Sequence, residues 1–178
     1  HYDGDKRGAW RDYYTYGGMP LVWTFETHED RSRYLRDLFS WTYIKDVLER
    51  NKIKKDEEVM EILLNLLASA VGSLTNPTKL SNTFHSERHI EISSGTIDSY
   101  IGFFMDAYLI QKVERYDVKG RKYISTPVKY YYSDPGLRNA LLGFRQIEEA
   151  HLMENVLYND LIRRGYDVDV GVVVQHAV

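Results

Sequence analysis

The feature that most constrains this chain is a change of hydrophobic period just after Leu109. Before it, Ile97, Ile101, Phe104 and Tyr108 recur at spacings of four, three and four, which places them on one face of a helix. Beyond it, Val113, Tyr116 and Val118 alternate with charge, Lys119-Gly120 makes a turn, and Tyr123 to Tyr132 reads as a returning strand. Upstream, Ser93 or Ser94 can accept hydrogen bonds from the free amides of the helix's first turn. Lys79 to Phe84 gives a shorter amphipathic segment, separated from that helix by a polar loop rich in His, Ser and charge. Helix, turn, helix and β-ribbon in this order predict a winged helix-turn-helix.

The remaining elements are mostly helical. Trp10 to Tyr16 reads as an aromatic-rich helix broken at Gly17-Gly18 and Pro20. Thr27 to Asp30 has the spacing of a capping box and opens one long helix through Tyr34, Leu35, Leu38, Phe39 and Trp41 to about Arg50. Asp56 is placed to cap the next helix, where Val59, Ile62, Leu63, Leu66, Leu67, Ala70 and Val71 form a stripe at helical spacing. Gly72 ends that helix, and Asn76-Pro77 prevents its continuation. After the ribbon, Ser133 to Arg138 turns into a helix ending near Gly143, and Ile147 to Arg164 forms another, closed by Gly165. Tyr166, Val168, Val170, Val172 and Val174 alternate with polar residues and glycine, as in a strand with one buried face. That strand has no following strand to pair with, and the chain starts at His1 and stops in an apolar run, so both ends read as cuts in a longer polypeptide. An unpaired strand also invites self-association. The expected fold class is mainly α with α+β elements.

Composition narrows the function classes. The 178 residues contain no cysteine, which excludes disulfides and thiolate metal sites and suits a reducing cytoplasm. No apolar run approaches the ~20 residues needed to cross a bilayer, so no membrane contact is expected. Net charge is -3, so any nucleic-acid contact must come from a local basic patch rather than from the chain as a whole. Fifteen tyrosines, clustered as Tyr13-Tyr14 and Tyr130-Tyr131-Tyr132, place large half-polar rings where elements meet.

Taken in order, Gly17-Gly18-Met19-Pro20, Tyr34 to Leu38, Leu67 to Ser73, Thr96 to Ile101, Lys129 to Arg138, and Glu154 to Tyr158 with Arg164 to Tyr166 resemble the C-terminal region of bacterial and archaeal AAA-type, STAND-like ATPases. The tail of those proteins is the domain of unknown function DUF4143. The resemblance runs from about Tyr13 to Val173. It implies a helical lid over residues 1–55, a winged helix over 56–143, and over 144–178 the truncated start of an α/β domain similar to the PD-(D/E)XK nuclease fold. It also implies ATP and Mg²⁺ in the complete protein, an upstream ATPase domain as partner, and a winged helix that touches duplex DNA or a protein. The chain itself has no G-x-x-x-x-G-K-[ST] loop, so this fragment is expected to hold no cofactor and to hydrolyse no ATP. A possible homo-oligomer is a further expectation.

Four sets of residues are candidates. Gly18 and Pro20 match the lid Gly-x-Pro, in which the resemblance places proline against adenine. Glycine allows close approach and proline offers a flat apolar face, while an interhelical turn is the plainer reading. Thr96 and Ser99, with Ser94 and Asp98, lie where a recognition helix would enter a major groove, although that helix has no lysine or arginine before Lys112. Lys119, Arg121 and Lys122, with Lys112 and Arg115, outnumber Glu114 and Asp117 on the ribbon, which suits a DNA backbone or a solvated turn. His85 and His89 have a two-ligand metal spacing without a third ligand, and the paired acids Glu148-Glu149, with Glu154, await partners. Glu154 matches the nuclease-like fold's first-helix acid. Two functions are expected: a non-catalytic region coupling an ATPase's nucleotide state to a DNA or protein contact, or a stand-alone winged-helix DNA-binding regulator.

Overall fold

A computed structural model describes residues 3–53, 56–145 and 149–173. Helix α1 (Lys6–Tyr16) starts where the Asp5 carboxylate accepts the Gly8 amide and stops at Gly17, whose φ of 77° lies in the left-handed region. A 3₁₀ turn (Pro20–Thr24) follows. The predicted long helix is one continuous run in three parts: α2 (His28–Asp37), a π-helical turn (Leu38–Ile44) and α3 (Lys45–Arg50). Thr27 caps it by accepting the Asp30 amide at 3.1 Å.

Helix α4 (Glu57–Ser69) corrects two expectations. Asp56 occupies the cap position without a capping bond; its carboxylate instead accepts a hydrogen bond from the Tyr100 hydroxyl. The buried stripe is Met60, Leu63, Leu64, Leu67 and Ala68, with Val59, Ile62 and Leu66 only half-buried. Neighbours surround α4 widely, so its inward face exceeds the narrow stripe that period alone selects.

Next come α5 (Pro77–Thr83), capped by Asn76, and α6 (Ser94–Asp106), capped by Ser93. The stretch between them, predicted as loop, begins with a π-helical turn (Phe84–Arg88) ended by His89 in the left-handed conformation. Ile97, Ile101 and Phe104 are buried as predicted. Tyr108 is not: it is 80% exposed, with a φ of 55°, because α6 has already ended and the chain is reversing into the sheet.

Strands β1 (Ile110–Asp117) and β2 (Lys122–Tyr132) pair antiparallel, with an irregularity between Val113 and Arg115. A bridge from Thr75 to Val128 ties the α4–α5 connection to β2. Helix α7 (Pro135–Leu141) then leads to α8 (Glu149–Arg163). The predicted strand over 166–174 shortens to β3 (Val170–Val172), and Val174 lies outside the described residues. It has a partner: β3 pairs parallel with β1, giving the order β2-β1-β3. The chain is thus mainly helical with a small mixed three-stranded sheet. Among the described residues no helix is long and apolar enough to cross a membrane.

The base of the sheet is covered on both faces. Tyr130 and Tyr132 join the main core with α4 and α6, whereas Tyr131 and Val113 pack under α8 with Tyr158. Successive strand residues point to opposite faces, so burial of all three tyrosines requires two covers. Burial pushes the Tyr100 and Tyr130 hydroxyls up to about 12; Asp56 adds to the effect at Tyr100 and Asp98 to that at Tyr130. In the unfolded chain both would ionise near 10. Their contribution to stability is therefore complete below about pH 10 and is lost as pH rises through 12. The part of the tyrosinate absorbance that comes from buried rings should rise together with the loss of far-UV circular dichroism in an alkaline transition above about pH 10; titration of all fifteen tyrosines near that pH with the helices intact would count against this packing.

Candidate functional site

The candidate lid residues meet the start of α7. The Gly18 amide donates to Asp134 Oδ2 at 2.7 Å, and the Leu137 amide donates to Oδ1 of the same carboxylate at 3.0 Å. A Cβ on Gly17 would lie 2.0 Å from Asp134 Oδ1, and one on Gly136 would lie 2.1 Å from the Tyr16 carbonyl oxygen. Only a side-chain-free backbone on both partners permits this approach. Burial pushes the Asp134 carboxyl above its usual range, against the opposing pull of the Gly18, Leu137 and Gly136 amides. Pro20 stands at the first position of the 3₁₀ turn and is exposed, while Met19 packs against the core.

Helix α7 extends this joint. Asn139 Nδ2 donates to the carbonyls of Tyr14 and Thr15 at 2.8 and 2.9 Å, closing the last turn of α1. Arg138 Nε donates at 2.9 Å to the Ala68 carbonyl near the end of α4. Arg138 and Asn139 are almost fully buried. A short helix thus fastens the ends of two others by buried hydrogen bonds. On the far side of the sheet, Asn155 repeats the device: Oδ1 accepts the Tyr132 amide at 2.9 Å and Nδ2 donates to the Tyr132 carbonyl at 2.7 Å.

Pattern reading missed these polar residues. Pro135 to Ala140 are all buried, so α7 presents no alternation of apolar and polar positions for periodicity to detect. The one available signal was three polar residues, Asp134, Arg138 and Asn139, flanking the turn pair Pro135-Gly136.

The nucleic-acid candidates fall on separate elements. Thr96 and Ser99 lie at the start of α6 and are used locally: the Thr96 amide and hydroxyl meet Ser93 Oγ, and Ser99 Oγ donates to the Gly95 carbonyl at 3.0 Å. Lys119, Arg121 and Lys122 are exposed at the ribbon tip, and Arg121 has a φ of 51°. That tip is fastened rather than free. The Val118 amide donates to the Val172 carbonyl, and the Tyr123 hydroxyl donates to Asp169 at 3.1 Å. His85 is paired with Glu91 at 2.5 Å. Among the described residues no group of three or more His, Asp or Glu could hold a metal ion. Glu154 accepts from Lys129 Nζ at 2.7 Å and from the Tyr131 hydroxyl at 2.5 Å, which makes it a strut between α8 and β2. Glu148 lies outside the described residues.

Residues 7–148, which include the whole α1–α7 joint, match the family described as Domain of unknown function (DUF8612). The chain belongs to the DUF8612 family. An uncharacterized protein of Haemophilus influenzae is 36% identical over 160 residues, covering 90% of this chain and 39% of that protein. An uncharacterized protein of Methanocaldococcus jannaschii is 28% identical over 155 residues, covering 87% of this chain and 34% of that protein. This DUF8612 chain therefore spans well under half the length of these relatives. No solved structure matches it.

Proposed function

We propose that this DUF8612 chain is a non-catalytic coupling region of an AAA/STAND-like ATPase, which relays nucleotide state through a winged helix to a macromolecular contact. The observation that carries this reading is the hydrogen bond from Gly18 to Asp134. It joins the turn that would meet adenine to the residue two positions beyond the end of β2. A displacement of the Gly17–Pro20 turn would therefore reach α7 and the base of the ribbon directly. The succession α4, α5, α6, β1 and β2, with the Thr75–Val128 bridge supplying a third short pairing, supports the winged-helix part.

The ribbon's electrostatics favour a protein over DNA as the contact. The exposed side of α6 carries Asp98 and Asp106 and no cation, and on the ribbon the Tyr123 hydroxyl, next in sequence to Lys122, donates to Asp169 and also feels the Asp167 carboxylate. The second reading, a DNA-binding regulator, rests on exposed Lys112, Lys119, Arg121 and Lys122. The complete reading frame, supplied with ATP and Mg²⁺, tests the first. Pro20→Ala should weaken ATP binding by about 1–2 kcal/mol, the value of a lost apolar contact, and unchanged affinity would remove the lid role. Low-salt mobility shifts test the second. A DNA-binding wing would give a salt-sensitive Kd no weaker than roughly 10⁻⁶ M at physiological salt, abolished by reversing Arg121 and Lys122; we expect no shift.

A further inference from the structure

We propose that the groove between α1 and α8 is a binding site for an organic anion with an aromatic body. It encloses about 800 Å³, inside the roughly 300–1,000 Å³ range of small-molecule sites. Trp10 and Tyr13 of α1 form one wall, and Met153, Val156 and Leu157 of α8 the other. Helix α8 buries Leu152, Asn155 and Tyr158, yet Met153 and Leu157, one turn apart, are 49% and 58% exposed. Two adjacent large apolar side chains facing a Trp and a Tyr ring are apolar surface that the fold itself leaves open.

The wall chemistry selects the ligand's body and the groove's end selects its head. Trp10 and Tyr13 offer ring edges and faces, and the Met153 sulfur makes favourable contacts with aromatic rings. At the end of the groove Asp160 accepts hydrogen bonds from Arg163 at 2.8 Å and Arg164 at 2.7 Å, so two cations share one carboxylate. The groove's other carboxylate, Glu154, is paired with Lys129 at 2.7 Å. The negative end of the α8 dipole offsets roughly half a charge, so the Arg163–Arg164 end keeps a small positive excess. A carboxylate, sulfonate or phosphate on a ring system would place its head beside Arg163 and its rings between Trp10 and Leu157. A ligand bridging α1 and α8 would also steady the Gly17–Gly18 turn at the end of α1. That consequence rests on the coupling reading, whereas the binding site does not.

Titration with 1-anilinonaphthalene-8-sulfonate, followed by its own emission and by competition with decanoate, tests the site. One saturable site per chain is expected, weakened about tenfold or more by Leu157→Asp, which puts a charge against the rings, and severalfold by Arg163→Glu in a salt-dependent way. Both positions are exposed, and Met153→Glu provides an independent third variant that should act like Leu157→Asp. Unsaturable binding, or binding unchanged in all three variants, would overturn the proposal. Decanoate binding more tightly than the naphthalene probe would overturn the aromatic assignment. None of these results bears on the Pro20→Ala measurement with ATP, so the two readings fail separately.

Discussion

Gly136→Val is expected to destabilise the protein by at least about 3 kcal/mol, beyond the usual range for a point substitution. The reason is the neighbour that a side chain would strike. At Gly136 a Cβ would meet backbone: the Tyr16 carbonyl oxygen at 2.1 Å, the Tyr16 carbonyl carbon at 2.3 Å and the Gly17 amide nitrogen at 2.8 Å. A flexible side chain can rotate away from an intruder, but the closing turn of α1 can move only by undocking from α7. Undocking would break the Asn139 bonds to Tyr14 and Thr15 along with the Gly18–Asp134 bond. A domain of this size loses roughly 2–4 °C per kcal/mol, so thermal unfolding should begin about 10 °C lower. The control is Gly102→Ala on α6, where an added Cβ meets nothing within 4 Å. That substitution should stabilise by up to about 1 kcal/mol, the helix preference of alanine over glycine. Equal thermal midpoints for the two variants would refute the close α1–α7 contact.

Asp134→Ala should cost about 2–4 kcal/mol, from the loss of a helix cap and the stranding of the Gly18 and Leu137 amides. Asp134→Asn keeps one acceptor oxygen and should cost less. Its pH dependence has a definite sign. Burial raises the Asp134 carboxyl in the folded chain, so its contribution to stability is complete below the unfolded value, near 4, and is lost as pH rises through the raised folded value. The advantage of wild type over Asp134→Asn should therefore be largest near pH 4 and narrow toward neutrality. Denaturant unfolding at several pH values reads this directly. An advantage that widens with pH would mean that the three amides outweigh burial and hold the carboxylate ionised. A local effect is expected as well: amide exchange should quicken over Tyr13 to Gly18 in both variants before it quickens in α6.

Individual elements show how far the chain's own text reaches. The helix-to-ribbon switch was legible because Ile97, Ile101 and Phe104 face one core and because Lys119-Gly120 reverses two alternating runs. The caps at Thr27 and Ser93 were legible for the same local reason: each side chain bonds an amide three residues on. Misreadings came where a distant partner changes a local preference. Asp56 has a capping position but its carboxylate takes the Tyr100 hydroxyl, 44 residues away. Tyr108 completes the period but stands outside because α6 stops two residues earlier, at Asp106. The short strand near the end was expected to lack a partner, and β1 pairs with it across more than fifty residues.

The same division runs through the candidate sites. Gly17-Gly18-Met19-Pro20 could be singled out from sequence because glycine and proline have fixed backbone habits whatever surrounds them. Asp134, Arg138, Asn139 and Asn155 could not, since each acts by hydrogen-bonding backbone far along the chain: Gly18 for Asp134, Ala68 for Arg138, Tyr14 and Thr15 for Asn139, Tyr132 for Asn155. By itself the sequence determined where elements begin, end and change period, because caps, turns and repeats are set by residues within a few positions of one another. Only the tertiary structure decided how α1 locks to α7 and which carboxylate meets which amide. Those pairings depend on directional hydrogen bonds made in places from which water has been excluded, and no local run of residues encodes them.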